Sequence, residues 1–151
     1  MRRFTYKGKY NPVYPNKYQG NVTNITYRSM WERRFMKYCD LNSKVLMWSS
    51  EELVIPYISP VDKKMHKYYP DFLIQIMDRD GIKKTKLIEV KPKRETKPPK
   101  KKTKITPRYI NEMKTWSVNE AKWKYAVEFC KDKNWEFKIL TEDFKALIKD
   151  G

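Results

Sequence analysis

The chain has 151 residues and a formal net charge of +16, from 34 Lys and Arg against 18 Asp and Glu. That length fits one domain, and a 40% hydrophobic content can build a core, which excludes a disordered polymer. No run approaches the roughly 18 apolar residues of a membrane span, so a membrane partner is not expected.

The charge is unevenly placed. Residues 1–28 carry six bases and no acid, residues 91–104 carry eight bases against Glu95 alone, and the rest of the chain is left at +3. Localised positive charge is an electrostatic footprint for a polyanion, DNA or RNA first. Pro92, Pro98 and Pro99 exclude an amphipathic membrane helix in the second segment. The first seven residues set no apolar stretch behind their charges, so no signal peptide is expected. Cys39 and Cys130 form neither a disulfide framework nor a metal spacing, which fits a reducing compartment, and they read as core thiols.

Residues 1–26 read as an extended basic arm. Gly8, Pro12, Pro15 and Gly20 break the four-residue spacing of Tyr6, Tyr10, Tyr14 and Tyr18, whose rings would pack singly on the domain or stack on a partner. Residues 27–39 predict a helix with Trp31, Phe35, Tyr38 and Cys39 on one face. Ser29 and Glu32 have the spacing of a capping box at its start. Residues 45–48 and 52–57 predict strands, with Pro56 at the end or edge of the second. His66, the lone histidine, falls in a Lys-rich turn and is expected to be exposed.

Residues 71–77 and 84–91 are the clearest strand pair. A three-residue loop at 79–81, with Gly81 left-handed, pairs residue 78 with 82 and carries Asp71 opposite Glu89. The same register puts Lys84 and Lys86 on the apolar face with Ile88 and Val90, where they must snorkel or the strand must bend. A basic Pro-rich loop, 92–106, follows. Thr106-Pro107 opens a helix, and the capping box Ser117–Glu120 opens a second, with Trp123, Ala126, Val127 and Cys130 as its buried face. Residues 135–140 alternate as a strand, and Thr141 caps a last short helix ending near Gly151. This order predicts one α/β domain with a central mixed sheet flanked by helices.

The chemistry concentrates at Pro70-Asp71 and Glu89-Val90-Lys91. Residues two apart on a strand share a face, so Glu89 and Lys91 point the same way. Two carboxylates set opposite each other repel. A divalent cation, Mg²⁺ or Mn²⁺, would offset that repulsion, with the Val90 carbonyl as a further oxygen ligand. Lys91 could then stabilise charge on a phosphate or orient the attacking water. Two acids, one lysine and a neighbouring basic segment make a site for phosphodiester hydrolysis.

Pro70-Asp71…Glu89-Val90-Lys91 resembles the PD-(D/E)xK motif of the restriction-endonuclease-like nucleases. The strings ITYRSMWE (25–32), VIPY (54–57), IEVKPKRETKPP (88–99), NEMKTWSVNEAKW (111–123) and FKILTED (137–143) resemble the head-completion nucleases of T-even-type tailed phages over nearly the whole chain. The resemblance implies a restriction-endonuclease-like core and a protein of virion assembly that acts on packaged DNA or at the portal end of a filled head. It implies phage head or portal-vertex proteins as partners, and a place in the virion and, during assembly, the host cytoplasm. From spacing alone Glu32 is a helix cap; the resemblance implies that it joins the metal site.

The expectation is therefore an Mg²⁺-dependent endonuclease acting on double-stranded DNA, with no nucleotide cofactor. Asp71 and Glu89 hold the metal, Glu32 and Val90 complete its shell, and Lys91 acts at the phosphate. Arg28, Lys93, Arg94, Lys97, Lys100, Lys101, Lys102 and Lys104 would neutralise phosphates, which positions DNA without reading its sequence. The alternative is a DNA- or portal-binding head-completion factor with a vestigial nuclease fold. An RNA-binding module lacks support, because there is no aromatic RNP-like string or Gly-rich clamp.

Overall fold

The computed structural model describes residues 7–141. Strands β1 (Gly8–Lys9) and β2 (Thr26–Tyr27) pair antiparallel and close the N-terminal segment on itself. Helix α1 (Met30–Leu41) leads into β3 (Val45–Ser50), then into an antiparallel pair, β4 (Ile55–Ile58) and β5 (Met65–Tyr68). The hairpin β6 (Phe72–Met77) and β7 (Lys83–Val90) follows, then α2 (Pro107–Lys133) and β8 (Glu136–Leu140). The central sheet runs β3-β6-β7-β8, antiparallel except for the parallel pair β7/β8, so it is mixed as expected.

Both faces of this sheet are covered. Phe72, Ile74 and Ile88 meet Phe35, Met36 and Cys39 of α1, together with Tyr10, Tyr18 and Ile25 from the N-terminal segment. On the opposite face Leu87 packs against Trp123, Ala126 and Cys130 of α2, joined by Ile55, Tyr57 and Tyr68 of the β4/β5 pair. No helix among the described residues is long and apolar enough to cross a membrane. Cys39 and Cys130 are free and buried, and burial raises both thiols, Cys130 to about 11, so neither is a ready nucleophile.

Several expectations need correction. The described part of the N-terminal segment is no free arm. The Asp40 carboxylate, wholly buried, accepts from Tyr10 Oη (2.8 Å), Val13 N (2.7 Å) and Tyr14 N (2.9 Å). Lys17 Nζ donates to the carbonyls of Asp40 and Asn42, both at 2.9 Å. A buried carboxylate surrounded by donors is a strong local anchor, and it folds this stretch back over α1. The tyrosines do pack singly: Tyr10 and Tyr18 are buried and Tyr14 is exposed.

The second expected capping box does not start a helix. Residues 107–133 form one helix, capped by Thr106 Oγ1, which accepts from Tyr109 N, and closed by Asn134 in the left-handed conformation. No Gly or Pro interrupts residues 108–133, so nothing breaks it, and Ser117 Oγ bonds back to Lys114 O at 2.8 Å. Val127 is exposed instead of buried. The stretch read as a Lys-rich turn is strand β5, where His66, exposed as expected, contacts Asp62. Lys84 and Lys86 do snorkel: Lys84 reaches Asp78 at 3.5 Å and Lys86 reaches Glu136 at 3.8 Å. The first six residues of the expected arm and the short helix ending near Gly151 lie outside the described residues.

Candidate active site

The β6/β7 turn sets the geometry. Met77 pairs with Lys83, Asp78 N donates to Ile82 O at 2.9 Å, and Gly81 takes φ 76°, so the loop is the three-residue form expected. The Asp78 side chain also accepts from the Asp80 and Ile82 amides, which fixes the turn locally. The register that follows pairs Phe72 with Ile88, and one step further sets Asp71 against Glu89.

Asp71 ends the ladder by using its side chain in place of its backbone: Oδ2 accepts from Val90 N at 2.7 Å. Its carbonyl accepts from Glu51 N at 3.2 Å, so the residue is held between β3 and β7. Glu89 is only 5% exposed and accepts from Trp123 Nε1 at 3.3 Å. With helices on both sides of the sheet, Glu89 lies under α2 beside Leu87, in an apolar layer.

Loss of hydration, then the adjacent Glu89 carboxylate, push the Asp71 carboxyl up to about 9, against the pull of the Val90 amide. Tyr68 Oη is buried near the same pair without the geometry of a hydrogen bond, and burial followed by the charge of Glu89 raises it as well. Among the described residues the donors given to the two acids are one peptide N–H and one indole N–H. These are two hard oxygen ligands whose mutual repulsion is left to a proton. A divalent cation fits that donor set, because it would replace the proton and satisfy both carboxylates.

Glu32 stands apart from the pair. Its N–H donates to Ser29 Oγ (3.1 Å) and its Oε2 accepts from Arg28 N (2.9 Å), so the cap is formed, reaching one residue further back than the usual box. Burial first, then Glu51 and Glu89, raise its pKa; Asp71 in turn feels its charge. Among the described residues no three His, Cys, Asp or Glu side chains converge as closely as ligands of one metal. Asp71 and Glu89 are brought together, and Glu32 stays at electrostatic range.

Lys91 follows β7, half-buried, its amide donating to Leu140 O at 2.9 Å. Among the described residues it forms no ion pair with either acid. Val90 packs toward the α1 side and offers Asp71 its amide. Arg28, expected at DNA, is engaged with Glu51, both guanidinium contacts being 3.1 Å. Lys93, Arg94, Lys97, Lys100, Lys101, Lys102 and Lys104 are all exposed. Arg94 and Lys97 form one wall of a groove whose other wall is the first half of α2, with Arg108 and Trp116. Trp116, on the groove wall, meets Trp123 edge-on at 5.7 Å, and Trp123 donates to Glu89; Asp71 and Glu89 themselves do not line the groove.

Trp123, Tyr68, Arg108 and Glu51 were not legible as site residues. Trp123 showed as helix core, Tyr68 fell in the missed strand, and Glu51 carries no motif.

A family model described as TnsA-like endonuclease N terminal matches residues 42–142. The chain is also 41% identical over 142 residues to the head completion nuclease of Enterobacteria phage T4, covering 91% of this chain and 92% of that one. No solved structure matches. The mixed sheet between helices, with its paired acids at the β6/β7 end, is the restriction-endonuclease-like core expected from sequence. The chain belongs to the TnsA-like endonuclease family, and to the same family as the T4 head completion nuclease.

Proposed function

We propose that this chain, a nuclease of phage head completion, hydrolyses phosphodiester bonds of duplex DNA with a divalent cation, Mg²⁺ or Mn²⁺, held by Asp71 and Glu89. The observation that carries the reading is the pair itself: two carboxylates in contact, one of them raised far out of its usual range, at the strand end from which the exposed basic loop 92–104 departs. Glu32 is the third acid on hand, and the Val90 carbonyl a further oxygen. Bound there, the cation supplies Lewis-acid polarisation of the phosphoryl group.

The chain's own residues do the rest. Lys91, alternate to Glu89 along the same edge, offers an ammonium for charge developing on the phosphoryl oxygens. Trp123 and Leu87 keep water from the back of the site. The exposed cations of residues 93–104 and Arg108 grip the backbone, giving little base specificity. Kinship with the T4 protein supports action in head completion, in the host cell during assembly; contact with the portal end and a place in the finished virion are the finer part of the proposal.

The test is cleavage of supercoiled plasmid with Mg²⁺, with Mn²⁺ and with chelator, beside Asp71→Ala and Lys91→Ala. The expected result is metal-dependent nicking or linearisation, reduced at least a hundredfold in both variants. Equal activity in all three proteins would sink the assignment. DNA or portal binding with no cleavage by wild type would favour a head-completion factor with a vestigial site.

A further inference from the structure

The residue after β3 is unusual. Glu51 takes φ 54°, the left-handed region, which costs a non-glycine residue backbone energy. Two other described non-glycine residues share that region: Asn134 closes α2, and Lys63 lies in the β4/β5 turn. Glu51 does neither. Its amide donates to the Asp71 carbonyl at 3.2 Å, and its carboxylate takes two contacts from Arg28, Nε and Nη2. Arg28 N in turn donates to Glu32 Oε2. Asp71, Glu51, Arg28 and Glu32 are thereby joined in one line, from the strand acid to the helix acid.

Stability does not explain this arrangement. The Arg28 side chain is 52% exposed, and ion pairs so open to water contribute little to folding. A strained backbone spent on a weak pair beside a site points to use. From this, and on the reading of Asp71 and Glu89 as metal-holding, we infer that Glu51 is a positioning residue of the active site. By gripping Arg28 at two points it fixes the chain entering α1, and so holds Glu32 within electrostatic range of a cation bound by Asp71 and Glu89. Arg28 is then a brace and not a DNA contact in the free protein. The planar guanidinium suits that use, because a lysine cannot make the two-point grip.

Glu51→Gly separates the two roles, since glycine accepts φ 54° without strain. The full chain is used without DNA, with Mn²⁺ binding read by electron paramagnetic resonance and folding by thermal melting. Glu51→Gly is expected to melt at or above wild type and to bind Mn²⁺ about tenfold more weakly, the scale on which residues orienting metal ligands act. Arg28→Ala should weaken Mn²⁺ as much, the double variant no further, and Arg28→Lys should fall between. Unchanged Mn²⁺ affinity in Glu51→Gly would overturn the inference, and so would a loss of affinity matched by a lower melting temperature. A wild type that binds no Mn²⁺ would instead overturn the reading of the site and this inference with it.

Discussion

Asp71 and Glu89 keep two carboxylates where hydration is poor and, among the described residues, two neutral N–H groups answer them. The consequence is a measurable pH dependence. In the unfolded chain Asp71 releases its proton near 3.8; in the fold it keeps it to about 9. Below about pH 4 folded and unfolded chains both hold the proton, and nothing is lost. Above it the unfolded chain binds fewer protons than the fold, so the metal-free fold loses stability as pH climbs toward about 9. Asp71→Asn removes that slope, because the amide has no proton to lose. The melting temperature of chelated wild type should fall relative to Asp71→Asn between about pH 5 and pH 9. Mg²⁺ should raise the wild-type melting temperature more at the upper end, since the ion takes over the role of the proton. Parallel melting curves for the two proteins, with no extra gain from Mg²⁺ at high pH, would be inconsistent with a strained acid pair.

At the scale of elements, the β6/β7 hairpin was legible because its turn is local chemistry. Asp78, Asp80 and Gly81 fix the loop, the loop fixes the register, and the register brings Asp71 to Glu89. What surrounds the acids was not legible, because α2 arrives from more than thirty positions away and covers Glu89 with Trp123. Ser117 and Glu120 imitate a start signal and make α2 read as two helices, while the absence of any breaker through residue 133 keeps it one. The N-terminal segment failed for the opposite reason. Its prolines and glycines rule out a helix, but nothing local reveals that Asp40, on α1, collects its donors. That anchor yields a prediction. Asp40→Ala strands the Tyr10 hydroxyl and two backbone amides in a buried place, and should cost about 3–5 kcal/mol in urea unfolding. Trypsin should also cut sooner at Lys17, whose ammonium loses its hold when this stretch lifts. Destabilisation under 1 kcal/mol, with no earlier cleavage, would show that the segment is held by its tyrosine packing alone.

For the whole molecule the charge is the organising fact. Residues 91–104 carry a net +7 of the total +16, and that run begins at Lys91, beside the acids. From Lys93 onward the lysines and arginines of this loop are exposed, and two of them line a groove with Arg108 and Trp116 of α2. On the proposed function, this loop would hold DNA by charge beside the acids. Binding should therefore depend on salt far more than on sequence. If the loop engages about six phosphates, log K should fall against log salt with a slope of about −5. Replacing Lys100, Lys101 and Lys102 together with alanine should flatten that slope by about 3, each lost contact returning about 0.9. Asp71→Ala should leave the slope alone, because on the proposed function that acid serves the cation and not the DNA phosphates. Fluorescence anisotropy with a labelled duplex in chelator, over several salt concentrations and two unrelated sequences, measures all of this. A slope unmoved by the triple replacement would place the grip elsewhere, on Arg108 and the far wall of the groove.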